Sequence, residues 1–364
     1  MADDALDQES AVPPEAAVVN ITGYRFVDLP DRNELRPWFR EQCGAHGLKG
    51  LVLLSFEGVN YFLAGTQAAT DAFRASLESE VPPLMGRFKG VPCKVSYSRS
   101  TPFKRMLVKL KKEIISLGIE SVKPAVRTGL RLAPQELKQW LDAGKPCVLL
   151  DTRNDYELRV GAFAQAVDLQ LESFGEFPAA VAQLPAAYKQ LPVVTYCTGG
   201  VRCEKATTVM LDAGFDQVYQ LEGGVLGYFE VCGGAHWRGD CFVFDDRVAL
   251  DPSLRETAVK MCFACREPVT VDEQMGPLYE EGLRCPRCAD KGTGGRSYHR
   301  PGGNTARPQA EEGEEGGEDE DSAEEMAGGA AEGSEPGGEA TAAASGTAND
   351  ARSRTAKKAK AALP

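Results

Sequence analysis

Apolar and β-branched residues crowd into AVVNITGYRFV at 17–27 and predict a strand. Leu35, Trp38 and Phe39 then recur at helical spacing behind Asp31, a residue suited to a cap, so a helix is predicted through about His46. Two short apolar runs, 50–57 and 59–65, meet at Glu57-Gly58 and read as a hairpin. Ala68, Phe73 and Leu77 mark a second helix over 67–80, and VPCKVSYS at 91–98 alternates like a strand. The order β-α-β-β-α-β is the split, ferredoxin-like arrangement. A second pattern begins near Leu132. It predicts a helix over 134–143, a strand at 147–151, a helical stretch at 176–190, a strand at 192–197, a helix at 203–213 and a strand at 216–224. Strands alternating with helices imply a parallel sheet covered on both faces, with ligands bound beyond the carboxyl ends of its strands. Cys197 lies at one such end.

These patterns divide the chain into a leader (1–17), an α+β ferredoxin-like, acylphosphatase-like domain (18–120), a linker (121–130), an α/β domain (131–235), a cysteine-rich module (236–291) and an acidic tail (292–364). Charge is unevenly shared among them. The 364 residues carry a formal net charge of −12, but 301–364 hold 14 acidic and 6 basic residues and no Phe, Tyr or Trp. Such a tail is expected to be disordered, because it buries too little apolar surface to offset its ordering entropy. The remaining residues are close to neutral, so the acidic total does not argue against a nucleic-acid partner.

No run approaches the roughly 18 apolar residues of a membrane-spanning helix. The N-terminal stretch has the pattern of neither a signal nor a transit peptide. A cytoplasmic protein is expected. The 11 cysteines then read as metal ligands, reactive thiols or small buried apolar groups rather than a disulfide framework.

CTGGVRCEKA at 197–206 joins an apolar strand to a predicted helix. Thr198, Gly199, Gly200 and Val201 form a short loop whose glycines let successive N–H groups turn inward, making a concave anion site. The start of the following helix and the cation of Arg202 add positive potential. Together they favour a thiolate at Cys197 over a thiol. Cys203 reads either as a thiol that resolves an oxidised Cys197 or as a small core-facing residue. Asp151 and Arg153 more often set strand-end geometry than take part in chemistry.

This loop resembles the rhodanese active-site loop, in which four residues separate a cysteine from an arginine. The related phosphatase loop is one residue longer, so sulfur chemistry is favoured here. LLDTRNDYELRVGAFAQAVDL at 149–169 and LEGG at 221–224 are similar to further rhodanese segments. The order of ferredoxin-like block, FKRMLVKLKKEI, rhodanese domain, GDCFVFDDRVAL and terminal cysteine pairs resembles the rhodanese-related tRNA uridine hydroxylases. That resemblance implies a tRNA substrate, hydroxylation of carbon 5 of the wobble uridine with molecular oxygen, and Cys197 as the essential cysteine. The runner-up is a persulfide sulfurtransferase that takes sulfane sulfur from a small donor or a protein partner. A zinc-containing, non-catalytic adaptor is the third reading. No flavin or nicotinamide fingerprint is apparent.

Two further features carry chemistry. Cys262-x2-Cys265 and Cys285-x2-Cys288 are separated by 19 residues, the spacing of a four-thiolate zinc ribbon with a structural role. Two redox pairs are the alternative. Lys104, Arg105, Lys109, Lys111 and Lys112 concentrate positive charge that suits an RNA backbone, although such runs are commonly only a solvated face.

Overall fold

The computed structural model describes residues 18–289. The leader 1–17 and the tail 292–364 lie outside them.

In the first block, β1 (Val18–Phe26), α1 (Arg32–Ala45), β2 (Lys49–Ser55), β3 (Gly58–Gly65), α2 (Gln67–Leu77) and β4 (Cys93–Ser98) follow the expected order. The sheet runs β4-β1-β3-β2-β5, with β5 at Met106–Leu110. Its β1 to β4 pairs are antiparallel, whereas β5 lies parallel to β2. The strand period of two decides what each face does. Val19, Ile21, Val59, Tyr61 and Leu63 pack with Leu35, Phe39 and Cys43 of α1 and Phe73 and Leu77 of α2. Each large side chain buried there contributes about 1.5–3 kcal/mol. The alternate residues Asn20, Thr22, Tyr24, Asn60, Phe62, Lys94 and Ser96 face away from the helices and line a cleft.

Three local details differ from the sequence expectation. Asp31 stands at the α1 N-cap, but its carboxylate takes two bonds from Arg87, at 2.6 and 2.7 Å, instead of capping the helix. The hairpin turn is Phe56-Glu57, because Ser55 already pairs with Gly58. The basic stretch 103–115 contains β5, whose Val108 is buried while the neighbouring cations face outward.

The second block comprises β6 (Leu130–Leu132), α3 (Pro134–Asp142), β7 (Val148–Asp151), α4 (Asp155–Leu158), β8 (Gly161–Phe163), β9 (Val167–Asp168), α5 (Phe177–Val181), β10 (Val193–Tyr196), α6 (Val201–Asp212), β11 (Val218–Leu221) and α7 (Gly224–Cys232). Its sheet, β6-β11-β10-β7-β9, is parallel throughout. Every residue of β7 and β10 is buried, as strands covered on both faces must be. The helix predicted over 176–190 is broken into α5 and a 3-10 turn at Ala186–Gln190. Pro185 accounts for the break: it has no N–H to donate and pushes Leu184 away from helical geometry.

Small elements complete the chain: β12 (Trp237–Gly239), β13 (Cys241–Phe242), β14 (Ala249–Leu250), β15 (Lys260–Met261), β16 (Pro268–Val269) and α8 (Val271–Gln274). β12 pairs with β8, and Trp237, Cys241, Val243 and Leu250 sit in the apolar cluster of Tyr196, Tyr228 and Phe229. The stretch after residue 235, assigned by sequence to the cysteine-rich module, thus starts as part of the second block's core. Trp237 is the physical reason, since its ring stacks edge-on with Phe163 and Phe229 at 5.1 and 5.3 Å.

The two blocks are tied by Lys205 of α6. Its buried ammonium meets Glu57 at 2.8 Å and Glu113 at 2.5 Å, and donates to the Ile115 carbonyl at 3.0 Å.

Candidate active site

The buried strand β10 ends at Tyr196 and delivers Cys197 to the loop that precedes α6. Gly200 adopts a left-handed φ of +97°, and its N–H donates to Cys197 Sγ at 3.1 Å. A second helix start closes on the same loop. Val225 N–H donates to the Cys197 carbonyl at 2.9 Å and Leu226 N–H to the Thr198 carbonyl at 3.1 Å. This approach requires glycine at 224: φ is +63°, and a Cβ would lie 2.4 Å from the Cys197 carbonyl oxygen.

Burial alone would raise the pKa of Cys197, which is 1 % exposed. A hydrogen bond from Cys203, the charge of Arg202 and the N–H groups of Arg202 and Gly200 overcome that penalty and bring it down to about 6. Burial and the neighbouring thiolate push Cys203 up, so Cys203 stays a thiol and donates. The Thr152 hydroxyl lies 3.8 Å from its sulfur. Arg202 is held by a bidentate pair with Glu157 of α4 at 2.6 and 2.8 Å. Burial opposes ionisation of Glu157, but Arg202 keeps its carboxyl below the usual range. Thr198 Oγ1 lies 3.4 Å from the same carboxylate and 3.3 Å from the Phe242 carbonyl. The loop 197–203 is thus a thiolate cradle whose cation is pinned from behind.

Asp151 and Arg153 are placed one layer below. Arg153 pairs with Asp151 at 2.7 Å and donates to the Gly161 carbonyl at 2.8 Å, with both side chains fully buried. They brace the end of β7 against β8.

Above the cradle, a cleft of about 700 Å³ separates the loop from the polar face of the first sheet. Such a volume suits a ligand of nucleotide size. Tyr24 of β1 reaches across, its hydroxyl donating to Glu204 at 3.0 Å. Glu204 also accepts from Arg131, Thr128 and Gln220 at 2.6, 2.9 and 3.1 Å. Lys94 of β4 spans to Glu230 of α7 at 3.1 Å. Arg247, paired with Asp245, donates to Ser96 at 2.8 Å and forms one wall with Phe244. Sequence reasoning missed Glu157, Tyr24, Asn20, Asn60, Lys94 and Arg247. The signal for the strand residues was the alternation itself, a polar face that reads like solvent exposure until a second domain is set against it.

The four expected metal ligands converge apart from the cleft. The sulfurs of Cys262, Cys265, Cys285 and Cys288 all lie within 4.8 Å of one another, and this cluster can hold a metal ion. The five cations of the basic stretch do not line the cleft. They sit on and around β5, at the sheet edge opposite β4, with Lys104, Arg105, Lys111 and Lys112 exposed and Lys109 half-buried. No helix among the described residues is long and apolar enough to cross a membrane.

Residues 18–114 match the UPF0176 acylphosphatase like domain, and 133–230 match the rhodanese-like domain. A tRNA uridine(34) hydroxylase of Cupriavidus taiwanensis is 49 % identical over 276 residues, covering 74 % of this chain and 96 % of that protein. One of Burkholderia mallei is 47 % identical over 296 residues, covering 79 % and 98 %. With a thiolate cradle facing an acylphosphatase-like sheet and relatives aligned along nearly their whole length, the chain belongs to the tRNA uridine(34) hydroxylase family.

Proposed function

We propose that this chain hydroxylates carbon 5 of uridine 34 in tRNA, with molecular oxygen as co-substrate and Cys197 as the essential nucleophile. One observation carries the reading: a depressed-pKa thiolate lies at the floor of a nucleotide-sized cleft rather than at an open surface. A thiolate adding to carbon 6 of uracil moves the electrons of the 5,6 double bond toward carbon 5 and O4. Carbon 5 is then nucleophilic toward oxygen. One oxygen atom enters the ring at carbon 5, the other leaves as water with two electrons and two protons from a reductant, and loss of the carbon-5 proton expels the Cys197 thiolate from carbon 6 and restores the 5,6 double bond. The cradle N–H groups and Arg202 hold Cys197 ionised for the attack, and Cys203 keeps its proton.

The four-cysteine cluster supports a structural zinc ion. Sulfurs about 2.3 Å from a tetrahedral centre are about 3.8 Å apart. The Cys262–Cys288, Cys285–Cys288 and Cys265–Cys285 pairs stand at 3.8, 3.8 and 3.5 Å. Bound zinc would lock the β15–β16 hairpin to the second cysteine turn, where few apolar residues are buried. The exposed cations around β5 supply a phosphate-binding edge for the tRNA, and cytoplasmic residence follows from that substrate.

Digesting tRNA from a deletion strain complemented with the wild-type chain or Cys197→Ser tests the reading. 5-Hydroxyuridine should return only with the wild type. Release of sulfane sulfur without any change in nucleosides would instead establish the persulfide sulfurtransferase reading, for which the cradle is equally built.

A further inference from the structure

Asn20 is 4 % exposed and lines the cleft, yet its Oδ1 has no hydrogen-bond partner among the described residues. Its orientation is not free. Asn20 Nδ2 donates to Ser98 Oγ at 2.9 Å, and Ser98 Oγ donates its only hydrogen to the Ser100 carbonyl at 2.7 Å. Ser98 therefore shows Asn20 lone pairs alone, which holds Nδ2 toward β4 and leaves Oδ1 as the acceptor without a partner. A buried acceptor left without a donor is costly, and native proteins keep few of them without a reason.

We propose that Asn20 is the specificity-determining residue that reads the imide N3–H of the target uracil. The inference rests on the reading of the cleft as a uridine site. Uracil carries a donor at N3 between two carbonyl acceptors, whereas cytosine carries a lone pair at N3. A rotatable amide would serve both bases. An amide locked by Ser98 serves only the first, since its oxygen attracts N3–H and repels a bare N3.

The ribose 2′-hydroxyl is the other donor that RNA could bring, so the test separates the two. The full chain in a Cys197→Ser background is titrated with anticodon stem-loop RNA bearing uridine, 3-methyluridine, cytidine or 2′-deoxyuridine at the target position. With Asn20 intact, 3-methyluridine and cytidine should each bind about tenfold more weakly than uridine. Asn20→Leu should weaken uridine binding about fivefold to tenfold and lose nothing more on methylation. Ser98→Ala frees the amide to rotate and should bring the uridine-to-cytidine preference toward unity. Equal weakening of all four RNAs by Asn20→Leu marks a structural role and overturns the inference, as does unchanged uridine binding. An Asn20 effect that disappears with 2′-deoxyuridine, but persists with 3-methyluridine, assigns the contact to the ribose and also overturns it. Binding is read here rather than turnover. A wild-type enzyme that makes no 5-hydroxyuridine would therefore refute the proposed activity and leave the base-reading result standing.

Discussion

The cradle stores free energy in the ionised form of Cys197, and a stability measurement can recover it. Cys197→Ser removes the titrating group and keeps the size of the side chain nearly unchanged. Cys197 falls from a reference of 9.0 to about 6 in the folded chain. A depressed acid pKa makes folding release a proton, so the stabilisation is full above the unfolded value and is lost as pH falls through the folded value. Over the window from about pH 6.5 to about pH 8.5, linkage makes the wild type gain about 2 kcal/mol relative to the serine variant. Cys203 is pushed upward and stays protonated in the folded chain, and its partial ionisation in the unfolded chain near pH 8.5 is common to both proteins, so it does not cancel the difference. Urea denaturation of both proteins at four pH values measures the difference, and thiolate absorbance in the near ultraviolet reports the ionisation directly. Parallel stability curves, or an absorbance midpoint near the free-cysteine value, would show that the backbone donors and Arg202 do not outweigh burial.

Three further outcomes follow from the same geometry. Gly224→Ala places a methyl carbon 2.4 Å from the Cys197 carbonyl oxygen and 2.6 Å from that of Thr198, and must displace α7 from the loop. Hydroxyuridine formation should fall at least about tenfold with a raised Cys197 pKa, and full activity would contradict the close approach described here. Cys285→Ser should lower bound zinc, measured by atomic emission, from about one ion per chain and expose the β15–β16 region to protease, while leaving the Cys197 titration in place. Neutralising Lys104, Arg105, Lys109, Lys111 and Lys112 together should flatten the dependence of log Kd on log salt by at most about 4, and an unchanged slope would place the tRNA backbone elsewhere.

What could be read from the sequence follows from how local each feature is. Cys197, Arg202 and the glycines between them lie within one turn of chain, so their chemistry was visible as a motif. The four-cysteine cluster was visible too, because each Cys-x2-Cys pair is a complete local unit. The cleft was not. Lys94 and Glu230 meet across 136 residues, and Arg247 and Ser96 across 151. No short window holds that information. Asn20 and Asn60 carried a weaker trace, polar residues on an alternating strand, but the same trace fits an ordinary wet face. Glu157 was present in the rhodanese-like segment, yet its role as the anchor of Arg202 appears only when α4 and α6 are placed together. Trp237 marks the limit for boundaries: it lies beyond the last parallel strand in sequence and inside the core in space.

The polar sheet over Cys197 also bears on which nucleotides of a folded tRNA can be reached. A thiol that is almost wholly buried, with Tyr24 bridging to Glu204 overhead, leaves no approach for a base paired and stacked within a stem. Only a nucleotide that swings out of its helix can pass between the two blocks, and loop nucleotides pay the least for doing so. Paired regions are thereby disfavoured before any base is recognised. Stems are held back by their own rigidity, and the unpaired loops of a tRNA, the anticodon loop among them, are favoured by their lack of it.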